Sequence, residues 1–173
     1  MSLKIDAMEL RRGIGREATY EFRELVQPVE LAGETIEFEP AGVTLRLVSA
    51  GETIGGYFRV SSGAHMLCSR CLKPIAVPID VEFMVVYQQA PDESKVNESP
   101  DDDVVFYHED LIDVSEDLRQ HLILELPMKP VCNPACEGLF PNCGKDLNDG
   151  ECGCPKMDAD PRMSVLRDLL KRE

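Results

Sequence analysis

Between residues 18 and 87 the chain repeatedly alternates apolar and polar positions, the period-two pattern of strands with one buried face. Tyr20 and Phe22 alternate with charged neighbours in 18–25, and Val43, Leu45 and Leu47 alternate with Thr44 and Arg46. Gly51 and Glu52 form a tight-turn pair ahead of 53–61, where Ile54, Tyr57, Phe58 and Val60 are the apolar positions. The strictest alternation lies in 75–87: Ile75, Val77, Ile79, Val81, Phe83 and Val85. Pro74 and Pro78 have no amide to donate and belong at a strand start or on an edge. Residues 1–88 therefore predict a β-rich domain.

Farther along, the period changes. Asp113, with Glu116 three positions later, resembles a capping box, its carboxylate able to accept from amides of a first helical turn. Leu118, Leu122 and Leu126 then share one face, and Pro127 stops the helix. Asp160 and Pro161 open a second helix, in which Met163, Leu166, Leu169 and Leu170 form an apolar stripe beside Arg162, Arg167, Lys171 and Arg172. The predicted class is α+β: an antiparallel β-rich sheet or partly open barrel with one packed helix, a Cys-rich, metal-stabilised loop region and a C-terminal helix. The divisions are a β-rich domain over 1–88, an acidic loop over 89–110, a helix and connector over 111–131 belonging to the same domain, a Cys-rich segment over 132–159, and an amphipathic helix over 160–173. No internal repeat is visible.

Charge narrows the partners. The 173 residues hold 18 basic and 32 acidic side chains, a net charge of −14, so the chain as a whole repels phosphate backbones. Any nucleic-acid contact must be local. Residues 92–117 carry eleven acidic residues and only Lys95 as a base, a local charge of −10. A stretch of that composition, 89–103 above all, is a solvated loop that can attract a basic partner. Residues 162–173 are the reverse, with four basic and two acidic side chains, too small an excess to hold RNA tightly alone. No apolar run approaches the roughly 18 residues of a membrane span, and the opening MSLKIDAMELRRG lacks the apolar stretch of a secretory signal. A cytoplasmic protein without membrane partners is expected.

Seven cysteines in a reducing compartment point to metal binding or redox chemistry rather than disulfides. Cys68 and Cys71, in LCSRCLKP between two predicted strands, have the spacing at which a tight turn presents two thiolates to one ion. A redox dithiol usually opens a helix, whose dipole lowers a thiol pKa, and here a strand follows. Cys132, Cys136, Cys143, Cys152 and Cys154 lie in CNPACEGLFPNCGKDLNDGECGC, a Gly- and Pro-containing segment that packs poorly without a cross-link. Zinc is the default ion for soft thiolates, with iron–sulfur ligation as the alternative.

A closed structural site takes four sulfurs, and Cys132 and Cys136 are the pair that the preceding helix can carry back to the sheet. The candidate metal ligands are therefore Cys68, Cys71, Cys132 and Cys136. Cys143, Cys152 and Cys154 are left as a second site that is incomplete, vestigial, or finished by a water or a carboxylate. The rival grouping, a self-contained knuckle of Cys136, Cys143, Cys152 and Cys154, stays open, as does burial of some cysteines as small hydrophobes. His65, His108 and His121 have no ligand spacing and are expected on the surface or packed. Tyr57, Phe58 and Phe106 are expected in the core rather than stacked on bases. No HExxH-like helix or Gly-rich phosphate loop is present, so no catalytic residues are assigned.

CSRCLKPI between strands, a helix ending in LELPMKPVC, CEGLFPNCGKDLN with CGC behind it, and a closing DPRMSVLRDLLKRE together resemble the YceD family of large ribosomal RNA subunit accumulation proteins. The likeness covers most of 54–173, and the order of four motifs makes it specific. It implies a non-enzymatic, cytoplasmic ribosome biogenesis factor needed for 23S rRNA accumulation and large-subunit synthesis. The implied partners are a ribosomal protein or a pre-50S particle, with rRNA contact through the C-terminal helix. Alternatives from other classes are a zinc-ribbon adaptor for another assembly and a thiol oxidoreductase using Cys68 and Cys71. One departure matters: where relatives with the full cysteine set read GLCPxCG, this chain has Phe140 in GLFPNCG, which removes one ligand.

Overall fold

Strand β6, Thr53–Leu67, is the spine of the sheet, and its alternation explains why. Ile54, Phe58, Val60, Ala64 and Met66 face the core, while Tyr57, Arg59 and His65 face out. The computed structural model describes residues 3–31, 33–90 and 104–154. In chain order the other elements are β1 (Lys4–Asp6), a one-turn helix α1 (Met8–Arg11), β2 (Glu17–Glu24), β3 (Val29–Leu31), β4 (Glu34–Phe38), β5 (Ala41–Ser49), β7 (Pro74–Gln89), β8 (Val104–Tyr107), β9 (Leu111–Asp113) and helix α2 (Ser115–Leu124).

β6 pairs antiparallel with β7 along its whole length, from Thr53 opposite Gln88 to Leu67 opposite Pro74. Its other side is shared. β5 takes the first half, from Ile54 to Ser61, and β4 takes Ala64 and His65. β2 flanks β5, β3 flanks β4, and β8 runs parallel to the end of β7. The result is a mostly antiparallel sheet that does not close into a barrel. Pro74 starts β7, and at Pro78 the only sheet neighbour among the described residues is β6. Both prolines thus stand where a missing donor costs no ladder bond.

Several boundaries differ from the sequence reading, and β6 runs on to Leu67 where that reading stopped at 61. Val104–Tyr107, inside the stretch read as acidic loop, is strand β8, and Leu111–Asp113, read as the approach to a helix, is strand β9 paired with β1. α2 ends at Leu124 rather than at Pro127. The proline ring disfavours helical backbone in the residue before it, so the last turn stops early. The rest of the acidic run, 91–103, and the expected C-terminal helix over 160–173 lie outside the described residues.

α2 seats Leu118 and Leu122 in the core, 1 % and 0 % exposed. Asp113 accepts from the Ser115 amide at 3.0 Å, but the cap position is Val114, which makes no side-chain capping bond, so Asp113, read from the sequence as the cap, stands one residue before it. The His121 ring stacks on Phe83 at 3.7 Å between centroids, and Phe83 stacks on Phe58 at 4.5 Å, so this histidine is a packing residue. Tyr87 Oη donates to Asp117 Oδ2 at 2.7 Å beneath the helix. The Tyr87 ring lies so close to Gly56 that a Cβ there would sit 2.7 Å from its Cε2.

Burial raises the Asp117 carboxyl above its ordinary value, against the opposing effects of Tyr87 and His121; Asp113 and Glu116 push the same way as burial. The folded state therefore holds this proton to higher pH than the unfolded chain does. The stabilisation is complete at low pH and is lost as pH rises from the unfolded value near about 3.9 through the folded one. Asp117→Asn should flatten that part of the urea-midpoint profile, which begins at about pH 4. A profile with the same slope as wild type would show that Asp117 does not carry the effect.

Candidate metal centre

The alternation that buries Met66 also buries Cys68 one period later, at the mouth of the β6–β7 hairpin. There the chain makes a single helical turn. Leu72 donates to the Cys68 carbonyl at 2.9 Å, and the Cys68 amide donates to the Lys73 carbonyl at 2.9 Å. Leu72 closes the turn in the left-handed region, at φ 57°. The Cys68 and Cys71 side chains are thereby brought into one cluster.

The chain leaving α2 is clipped onto this turn. The Ser69 amide and hydroxyl both donate to the Pro130 carbonyl, at 2.8 and 2.9 Å. Arg70 Nη1 donates to the carbonyls of Cys136 and Pro134, at 2.6 and 3.2 Å. Gly138, at φ 82°, passes so close that a Cβ would stand 3.0 Å from the Arg70 carbonyl oxygen. Lys73 Nζ lies 2.6 Å from Asp146, holding that carboxyl below its ordinary range and tying down the next loop.

These clips bring Cys68, Cys71, Cys132 and Cys136 together, their sulfurs all within 4.8 Å of one another. The Cys68–Cys136 and Cys71–Cys132 separations are 4.0 and 3.6 Å. Disulfide sulfurs sit about 2.05 Å apart, so neither pair is bonded. A tetrahedral ion with bonds of about 2.3 Å to sulfur has sulfur–sulfur edges near 3.8 Å, and the observed spacings bracket that value. The Cys132 amide points at the Cys68 sulfur at 3.4 Å, and Asn148 Nδ2 at the Cys136 sulfur at 3.4 Å. Both contacts favour thiolates.

Cys68 is pulled down to about 6 by the backbone amides of Cys71 and Cys132, whereas Cys132 is pushed up to about 12 by Cys136 and Cys71. One sulfur thus ionises easily and another is held back by its neighbours. A cation at the centre would remove that repulsion, so the donor set fits a soft divalent ion.

Cys143, Cys152 and Cys154 form a separate group, also within 4.8 Å, so Cys136 belongs with the first cluster and not with them. The Lys145 amide lowers the Cys143 thiol, and Cys143 raises Cys154 to about 11. Among the described residues no histidine joins either group. Sequence reasoning missed the residues that position the sulfurs, Ser69, Arg70, Gly138 and Asn148. Asn148 carried a local signal, since Asp146 accepts from its amide at 2.9 Å in an Asx turn.

A family model described as large ribosomal RNA subunit accumulation protein YceD matches residues 57–170. An uncharacterized protein of Mycobacterium tuberculosis is 29% identical over 175 residues, covering 99% of this chain and 83% of its own. The uncharacterized protein YlbN of Bacillus subtilis is 27% identical over 161 residues, covering 90% of each chain. A chloroplastic large ribosomal RNA subunit accumulation protein YCED homolog 1 of Arabidopsis thaliana is 31% identical over 61 residues, 35% of this chain and 19% of its own. No solved structure matches. Among the described residues no helix is long and apolar enough to cross a membrane. The family match runs from the first third of β6 through both cysteine groups, and the chain belongs to the large ribosomal RNA subunit accumulation (YceD) family.

Proposed function

We propose that the chain is a non-enzymatic, cytoplasmic ribosome biogenesis factor that supports 23S rRNA accumulation and large ribosomal subunit synthesis. The observation that carries this reading is the family match over 57–170, reinforced by plant relatives named for large ribosomal RNA subunit accumulation. Cys68, Cys71, Cys132 and Cys136 would hold zinc, which supplies a tetrahedral cross-link between the β6–β7 hairpin and the segment after α2. Four protein sulfurs leave that ion no open position, which favours a scaffold over a hydrolase. The direct partner is a basic ribosomal protein or a pre-50S particle, drawn to the acidic run over 92–117, while the basic tail over 162–173 touches rRNA phosphate.

Sedimentation of the tagged full chain from growing cells tests this. It should travel with large-subunit precursors, and its depletion should lower 23S relative to 16S rRNA. A chain that stays at the top of the gradient while the rRNA ratio holds would overturn the proposal. Recovery with a different assembly would favour a zinc-ribbon adaptor, and turnover of a small disulfide by metal-free protein would favour the oxidoreductase.

A further inference from the structure

The turn that presents Cys68 and Cys71 occurs twice. In the first copy the Cys68 amide donates to the Lys73 carbonyl at 2.9 Å, Leu72 donates to the Cys68 carbonyl at 2.9 Å, and Leu67 pairs with Pro74. In the second the Phe140 amide donates to the Lys145 carbonyl at 2.8 Å, Gly144 donates to the Phe140 carbonyl at 2.8 Å, and Leu139 bridges Asp146. The left-handed residue falls at the same place, Leu72 at φ 57° and Gly144 at φ 67°. This register sets Cys143 on Cys71, Lys145 on Lys73, and Phe140 on Cys68. Each turn is joined by two cysteines from farther along the chain, Cys132 and Cys136 in one case, Cys152 and Cys154 in the other. The second group is thus built on the plan of the first, with a phenyl ring where the plan has a sulfur.

We propose that Cys143, Cys152 and Cys154 hold a second zinc ion whose fourth coordination position, vacated by the phenylalanine at 140, takes an exchangeable monodentate donor. Three protein ligands with one open position is the arrangement zinc uses when something from outside must bind. Cys143 is exposed and Cys152 and Cys154 are half-buried, so the group lies at the surface of the protein. Three thiolates on a doubly charged ion leave the centre anionic and weakly acidic as a Lewis acid, which suits ligand exchange better than water activation. Water fills the position in the isolated protein, and an imidazole or thiol side chain from a bound partner can replace it.

Cobalt(II) substitution in the full chain reads both centres through their visible bands. Wild type should bind about two equivalents, and millimolar imidazole should shift the bands of one of them. Cys152→Ser should bind about one equivalent and show no imidazole response, while Phe140→Cys should keep both ions and lose the response. The Phe140→Cys arm guards against misfolding, because an unfolded chain would not retain two tetrahedral sulfur sites. Wild type that binds one equivalent, or two with neither sensitive to imidazole, would overturn the proposal. Cys68→Ser keeps this outcome separate from the first centre: it should lose the imidazole-insensitive bands and keep the sensitive ones.

Discussion

Cys68→Ser is expected to release about one equivalent of zinc from the purified chain, the equivalent that resists a competing chelator, while Cys143→Ser keeps it. Cys68 is fully buried, and its sulfur faces the Cys132 amide at 3.4 Å and the Cys136 sulfur at 4.0 Å. A serine hydroxyl is shorter, harder and un-ionised at neutral pH, so it cannot replace a thiolate on a soft ion. Without the ion, Cys71 and Cys132 are held as protonated thiols, and with Cys136 they no longer cross-link the β6–β7 hairpin to the segment after α2. The segment after α2 then hangs on the Ser69, Arg70 and Lys73 contacts, and limited proteolysis should cut between residues 128 and 146 before it cuts the sheet. Full retention of chelator-resistant zinc in the variant, with unchanged proteolysis, would show that Cys68 is not a ligand.

The second large effect is in the core. Leu122→Ala should lower the unfolding free energy by about 2–5 kcal/mol, as expected for a leucine truncated in a site that cannot collapse. Leu124→Ala, two residues away on the same helix, should change it by no more than about 0.5 kcal/mol. Leu122 is 0 % exposed and Leu124 is 79 % exposed, so the contrast isolates burial from helix propensity. Denaturant midpoints at equal m-values measure it, with zinc saturating so that the metal contribution is common to all variants. Equal losses in the two variants would mean that α2 packs on the sheet through a different face.

The elements that sequence periodicity found are those long enough to show a period. β2, β5, β6 and β7 each carry several alternations and each overlaps the stretch where the pattern placed it, although β6 runs on to Leu67 and Tyr57, expected in the core, faces out. β1, β8 and β9 are three or four residues long, too short for alternation to be told from chance, and they exist because partners distant in sequence complete their ladders. Val104–Tyr107 was further disguised by the acidic residues on either side of it, which dominate any average over the window. The repeated turn escaped detection for a similar reason. Only a cysteine and a lysine are shared between CSRCLK and FPNCGK, and the likeness lies in backbone hydrogen bonds.

What the sequence determined by itself is local. Alternation specified which faces are buried, Pro74 and Pro78 marked a strand start and an edge, and the spacing of Cys68 and Cys71 specified a turn offering two thiolates. Which other sulfurs complete the cluster was decided only by tertiary structure. Cys71 meets Cys132 across 61 positions and Cys68 meets Cys136 across 68, distances over which no local pattern carries information. That meeting depends on how α2 packs on β7 and on how Ser69 and Arg70 grip the Pro130 and Cys136 carbonyls. The physical reason is that a metal site needs its ligands placed in space to within tenths of an ångström, and only the folded core fixes positions that closely.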